Sequence, residues 1–294
     1  MKAQILNLYS NDTKPNSRLK GDHGQSFLIT IGEEQVLFDT GASGKILLHN
    51  MALLGIDPGA VSKLVFSHGH YDHTRGLPHL LDNRNDSVAL PVFAHSAVRE
   101  KKIAKTGFFV KSLGFPDLNR IQETKLNFHL TDKPQQIAPA LKTTGEIVQR
   151  AEKEGIEPNI FHHADGQWRV DPVKDDISLV LNTIDGTVII VGCAHAGILN
   201  ICEQVKQLNA GTPIKAIIGG THMVRHTPEE VSHVATQLQM KYDSPHLYLN
   251  HCTDKLPVPF VRKTKTIQIL KKIYDAQKVR DCRVGTSFEF SLAP

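Results

Sequence analysis

The stretch Ser67-His68-Gly69-His70-Tyr71-Asp72-His73 decides how this chain is read. It follows an apolar run, Leu64-Val65-Phe66, with the character of a strand, so His68 and His70 alternate onto one side of an extended segment and both imidazoles can converge on one ion. Asp72 and His73 come from the turn that follows and can serve a second ion a few ångströms away. Mixed imidazole and carboxylate ligation suits Zn(II), with Mn(II) and Fe(II) as alternatives, and two such ions about 3.5–4 Å apart form a hydrolytic centre. The competing reading is an exposed polar loop. Three His at fixed spacing together with Asp make a chance match of roughly one in several hundred for this composition, which favours the metal reading.

The composition agrees. Sixteen His among 294 residues is well above ordinary usage, and several stand in short clusters. The chain is long enough to bury a core without disulfides, and its 22% charged residues and mean hydropathy of -0.23 belong to an ordinary folded protein and exclude a disordered one. Cys193, Cys202, Cys252 and Cys282 form no CxxC pair, which argues for free thiols and a reducing compartment. With no apolar signal-peptide run and no stretch of membrane-spanning length, a cytoplasmic protein is expected. Lys and Arg are spread along the chain at a net charge of +4, so nucleic acid is not an expected partner.

Outward from the His cluster, QILNLYS, SFLITIG and QVLFDTG read as strands ending in polar turns, and KILLHNMALLGIDP reads as a helix stopped by Gly55 and Pro58. GLPHLLDNR is a short helix candidate and ALPVFAH a strand. From Ser96 to Asp176 the periodicity is weak, which means either long loops or an inserted lid, and the lid is preferred. ISLVLNT and TVIIVG flank an Asp185-Gly186 turn and form a hairpin. Helices over AGILNICEQVKQLN, PEEVSHVATQLQMKY and KTIQILKKIYDAQK then alternate with strands over KAIIGG, HLYLNH and RVGTSFEF. The pattern is α/β, and two β-rich halves each ending in alternating strands and helices suit a four-layer sandwich.

SHGHYDH is similar to the HxHxDH signature of the metallo-β-lactamase superfamily, and LFDTG, ending near Asp39, resembles that superfamily's strand with an Asp close to the metal site. GDHGQSFLI, HNMALLGID, TTGEI, VGCAHAGILNI, IIGGTHM and NHCT, in this order from about Gly21 to Gly285, resemble the branch that includes the dihydropterin ribofuranosylaminobenzene 5'-phosphate synthase and uncharacterised bacterial relatives. The resemblance implies a single αββα domain over residues 1–294 with a lid at about 96–176, and two divalent ions, Zn(II) first, at the edge of the two sheets. It makes His68, His70, Asp72 and His73 metal ligands. His251 matches the final His, reaching the second ion, and His195 stands where other members supply a bridging Asp or a further His. Asp176 is a further candidate ligand. His222, also at a strand end, is either a ligand or a cap or substrate contact. Asp39 is expected to accept a hydrogen bond from a ligand imidazole. Cys252 is placed away from the site by strand alternation after His251. Arg75 stands where relatives commonly have Gly, which adds a guanidinium beside the metals.

The expected chemistry is hydrolysis of an ester-like or phosphorylated small molecule by a hydroxide activated between the two ions, with Asp72 orienting it. A side chain of the lid, such as His222 or a lysine, would steady the leaving oxyanion. Lys101, Lys102, Lys105 and Lys111 are either a solvated helix face or the positive field a phosphorylated substrate needs. His162 and His163, adjacent in the lid, could contact substrate, with at most one facing the site. Two other readings stay open: a transferase of the phosphate-synthase type, and a non-catalytic, metal-containing binding or regulatory protein. A homodimer is a further expectation.

Overall fold

The computed structural model describes residues 1–84, 88–255 and 265–293. The N-terminal half builds β1 (Lys2–Tyr9), β2 (Ser26–Ile31), β3 (Glu34–Phe38), α1 (Gly44–Leu53), β4 (Lys63–Val65), α2 (Tyr71–Thr74), α3 (Leu77–Asp82) and β5 (Leu90–Ala94). Strict alternation decides where each strand faces. Ala3, Ile5, Phe27, Ile29, Val36 and Phe38 pack into a core between two sheets, while Leu8, Leu28 and Leu37 from the same strands pack against α1 and α3. Ser43 starts α1 by accepting from the Ile46 amide, as an N-cap does.

The middle of the chain holds β6 (Lys102–Thr106), β7 (Phe109–Ser112), α4 (Arg120–Thr124), β8 (Leu126–Leu130), β9 (Gln136–Ala138), β10 (Leu141–Thr143), β11 (Ile160–Ala164) and β12 (Gln167–Val170). The C-terminal half adds β13 (Leu179–Thr183), β14 (Gly186–Val191), α5 (Ile198–Leu208), β15 (Ile214–Gly219), α6 (Pro228–Tyr242), β16 (His246–Leu249), α7 (Thr266–Ile273), β17 (Val279–Asp281) and β18 (Ser287–Ser291). β13 and β14 form the expected hairpin, Leu179 opposite Ile190 through Thr183 opposite Gly186. A capping box between Thr227 and Glu230 starts α6, whose Val231, Val234, Ala235 and Leu238 are buried on one face.

Two seven-stranded sheets result, ordered β18-β1-β2-β3-β4-β5-β8 and β17-β16-β15-β14-β13-β10-β9. Their facing sides share one core, the first sheet's outer side packs on α1 and α3, and the second's packs on α5, α6 and α7. This is the four-layer αββα arrangement. Both sheets turn parallel toward one edge, β3-β4-β5 in the first and β14-β15-β16 in the second, so the carboxyl ends of these strands open on one rim.

The 96–176 stretch does not act as one insertion. β8 joins the edge of the first sheet beside β5, and β9 and β10 join the second beside β13. Only β6, β7, β11 and β12 stand apart, as a four-stranded sheet ordered β12-β11-β6-β7. The lysine run is therefore on a β-hairpin and not on a helix. The second half of the expected closing strand over 283–290 forms β18, which pairs with β1 in the first sheet, and β17, a short strand not expected from the sequence, precedes it and ends the second sheet. No helix among the described residues is long and apolar enough to cross a membrane.

Candidate metal centre

Five strand ends on the common rim deliver polar side chains to it. Asp39 follows β3, the His68–His73 segment links β4 to α2, Cys193 and His195 follow β14, His222 follows β15, and His251 follows β16. The backbone turns hard at these points. Asp39, Ala194, His222 and His251 all take left-handed conformations, with φ of 63, 52, 44 and 47°. Non-glycine residues persist there only when the surroundings impose it, and such positions gather at functional sites.

Two donor sets form. In the first, His68 Nε2 lies 3.1 Å from His70 Nδ1, and the donor atoms of His68, His70 and His195 fall within 4.8 Å of one another. His195 Nδ1 meets the Gly155 carbonyl at 2.8 Å, which leaves its Nε2 buried without a hydrogen-bond partner. In the second set, His251 Nε2 is 3.3 Å from both His73 Nε2 and Asp72 Oδ2, and Asp72 Oδ2 is 3.9 Å from His73 Nε2. Zinc bonded to nitrogen and oxygen at about 2.0–2.2 Å in a tetrahedron would have donor edges of about 3.3–3.6 Å. Both sets approach that spacing, and an orphaned buried imidazole nitrogen is the feature a cation would satisfy, so the residues fit divalent ions.

Supporting contacts fix these rings. Asp39, fully buried, accepts from the Ser67 amide at 2.8 Å and from Ser67 Oγ at 2.7 Å, and its Oδ2 is 2.6 Å from His73 Nδ1. Ser67 Oγ is also 2.9 Å from His68 Nδ1, so one carboxylate orients a ring in each set. Burial, then His73 and His70, push His68 well below the usual imidazole range, and burial followed by His222 does the same to His195. Both therefore present neutral rings. Burial also opposes a proton on His73, but Asp39 and Asp72 outweigh it and hold the group up at about 9. A field that favours a proton there equally favours a metal cation.

Some positions differ from the sequence expectations. Cys252 does not point away: with Cys193 and His251 it forms a compact donor group, because the chain leaves β16 in a 3-10 turn over His251–Thr253 where strand alternation no longer applies. His222 belongs to the end of β15 and not to the lid. Its Nε2 is 3.1 Å from Glu157 Oε1, and its ring centroid is 4.3 Å from that of His195. Asp176 uses Oδ2 to accept from the Ala196 amide at 2.7 Å, bracing the loop that carries His195, and burial pushes its carboxyl up to about 7. Arg75 is turned toward the lid, its guanidinium over the Tyr71 ring at 4.9 Å and donating to the Ser112 carbonyl at 3.0 Å. His162 pairs with Glu100 at 2.7 Å and His163 sits against Trp168, so neither lines the cavity over the site.

Three contributions escaped the sequence reading. His23 Nε2 is 2.9 Å from Asp72 Oδ2, and Cys193 Sγ is 3.1 Å from His73 Nε2. Lys102, 2% exposed, bonds Asp171 at 2.7 Å and Asp175 at 2.9 Å; Asp171 lies 3.6 Å from His70 Nε2, and Asp175 accepts from the Gly69 amide at 2.7 Å. The lid hairpin is thus tied to the His68–His70 turn. Only the GDHG motif around His23 and the strand-end position of Cys193 offered a sequence signal for any of these.

Above the donors lies a cavity of about 650 Å³. Its floor includes His70 and His195 of the first set and Asp72 and His251 of the second, and its walls are mainly the β6–β7 hairpin and the start of β11, including Phe109, Leu113 and Ile160. Lys105 and Lys111 also line it, covering the rings of Phe161 and Tyr71, and neither has a carboxylate partner among the described residues.

A sandwich of this layering with clustered His and Asp at the sheet rim defines a class, and residues 19–202 match the metallo-beta-lactamase superfamily, to which the chain belongs. It is 29% identical over 251 residues, 81% of this chain and 83% of the relative, to 7,8-dihydropterin-6-methyl-4-(beta-D-ribofuranosyl)-aminobenzene-5'-phosphate synthase of Methanocaldococcus jannaschii. An uncharacterized protein of the same organism is 30% identical over 214 residues, 72% of this chain and 77% of that one. Among solved structures, Tm1679, a metal-dependent hydrolase of the beta-lactamase superfamily, superposes with a TM-score of 0.79 at 24% identity, covering 98% of this chain and 99% of the other.

Proposed function

We propose that the protein is a dinuclear metal-dependent hydrolase acting on a small ester-like or phosphorylated molecule. The observation that carries this reading is the pair of adjacent donor sets, with the orphaned His195 Nε2 between buried rings, under one open cavity. His68, His70 and His195 would hold one ion, and Asp72, His73 and His251 the other. Two divalent ions, Zn(II) by donor type, would supply an activated water and Lewis-acid polarisation of the attacked centre. The chain's own groups do the rest. Asp39 and Ser67 hold the ring tautomers, and Asp72 orients the attacking water. The apolar hairpin wall keeps bulk water from the reacting group, and Lys105 and Lys111 attract an anionic substrate. His222, aligned by Glu157, is placed to steady the leaving oxyanion.

The 29% relative favours a second reading, a synthase-type transfer in the same cavity. Zinc-reconstituted protein should turn over at least one of a phosphomonoester, phosphodiester, lactone or thioester probe. His70→Ala and Asp72→Ala should each lose one ion and all of that activity. Full activity in either variant at unchanged metal content would refute the assignment. Turnover of a pterin pyrophosphate with a ribofuranosylaminobenzene phosphate, in place of the hydrolytic probes, would move the conclusion to the synthase.

A further inference from the structure

The cavity over the donors carries a cationic group that the chemistry at its floor leaves unused. Arg225 closes the short turn that follows His222 after β15, lines the cavity, and has a side chain 34% exposed. Its Nε donates to Glu157 Oε1 at 2.7 Å, and the same oxygen lies 3.1 Å from His222 Nε2. Glu157 is 6% exposed, so a buried carboxylate pins the guanidinium by one edge. The two terminal nitrogens of Arg225 have no partner among the described residues, and together they make a fork that matches an oxyanion. The position is set apart from the donors: contacts lead from His195 to His222, ring centroids 4.3 Å apart, then to Glu157, and only then to Arg225. The Ile160 amide donates to the Glu157 carbonyl at 3.1 Å, and across the strands Ile160 stands opposite Ala104, which stands opposite Lys111. That row lines the cavity, so Arg225 stands at one end of an apolar strip and Lys111, over the Tyr71 ring next to Asp72, at the other. Phe109 lines the same strip while 82% exposed, an apolar surface that a bound molecule would cover.

We propose that Arg225 is a specificity-determining residue whose terminal nitrogens take an anionic group of the substrate separate from the group attacked at the metals. The substrate class is then an apolar body that lies along the Ile160–Ala104 wall and carries an oxyanion, such as a carboxylate or phosphate, remote from the scissile bond. The statement about the substrate rests on the metallohydrolase reading; the anion subsite itself does not. Glu157 makes the subsite selective. It fixes the guanidinium and offsets part of its charge, so an anion is recognised by the geometry of the fork as well as by sign, and a lysine would supply the charge without the fork.

Paired fluorescent probes test this on the full chain with chelator present, so that no metal contributes: anilinonaphthalenesulfonate, an aromatic body with one fixed oxyanion, and phenylnaphthylamine, the same rings without it. Arg225→Gln should weaken binding of the sulfonate about tenfold and leave the neutral probe bound as in wild type. Arg225→Lys should weaken the sulfonate by a smaller factor, and Lys45→Gln, which removes a positive charge outside this cavity, should change neither affinity. Should Arg225→Gln fail to fold, the selective loss of sulfonate affinity in Arg225→Lys still decides. On zinc-loaded protein, Arg225→Gln should raise the KM of a naphthyl ester whose acyl chain ends in a carboxylate about tenfold relative to that of its uncharged analogue. Sulfonate affinity unmoved by either Arg225 variant, or an equal loss of both probes, would overturn the subsite and leave the hydrolytic reading intact. A KM ratio unchanged by Arg225→Gln would overturn the substrate class. Selective loss of the sulfonate without hydrolysis of any ester by wild type would overturn the hydrolytic reading and leave the subsite standing.

Discussion

At Asp39 a single carboxylate governs rings in both donor sets, His73 directly and His68 through Ser67. Asp39→Asn keeps the size but places an amide where two hydrogen bonds are accepted, so the ring of His73 loses its fixed tautomer. Loss of such a supporting contact typically weakens metal binding 10–100-fold, about 1.4–2.7 kcal/mol. Competition against a chromogenic chelator should show that weakening at unchanged circular dichroism, and wild-type affinity would contradict the role given to Asp39. At this scale the contiguous donors were readable, because four of them sit within six residues of sequence. His23, Cys193 and Cys252 were not, since each reaches the rim through a turn whose direction no local periodicity encodes. The Cys252 expectation went astray for that reason, having extended strand alternation three residues past the end of β16.

Among the elements, the β6–β7 hairpin depends on one buried cation. Lys102 faces Asp171 and Asp175, and burial, which opposes its charge, is outweighed by the two carboxylates that raise its pKa. Lys102→Met would leave two carboxylates buried without their counter-ion, a change that costs about 3–5 kcal/mol. A lower melting temperature is expected, with faster amide exchange concentrated in β6, β7 and β11; melting and exchange like wild type would show the cluster to be idle. The long strands and amphipathic helices of both halves were legible from their periods of 2 and 3.6. The 96–176 region was not, because β9 and β10 are three residues each and β8 carries polar Asn127 and His129, so no window of sequence shows which sheet they join.

Across the whole molecule the donors come from opposite halves. His73 and Cys193 are 120 residues apart, and His73 and His251 are 178 apart. Under the proposed function, ions bound between them would act as cross-links that exist only in the folded state, so binding would add to stability. At a free metal concentration a hundredfold above the dissociation constant the gain is about 2.7 kcal/mol. For a chain of this size that corresponds to roughly 5–10 °C in melting temperature. Chelator should lower the melting temperature of wild type by that order and leave a His70→Ala/Asp72→Ala double variant unmoved. An identical melt with and without chelator would count against metal between the halves. The layered architecture was legible from the order of strands and helices, whereas the shared rim was not, since it arises only when the two sheets are stacked.

The left-handed residues at the strand ends carry one more implication. Asp39, His222 and His251 are bulky side chains in a backbone region that glycine occupies freely, so each position sacrifices some folding stability to keep its functional group. The rim is therefore a place where fitness and robustness pull in opposite directions. A lineage that abandoned the chemistry would be free to drift toward glycine or asparagine at these positions and become more stable.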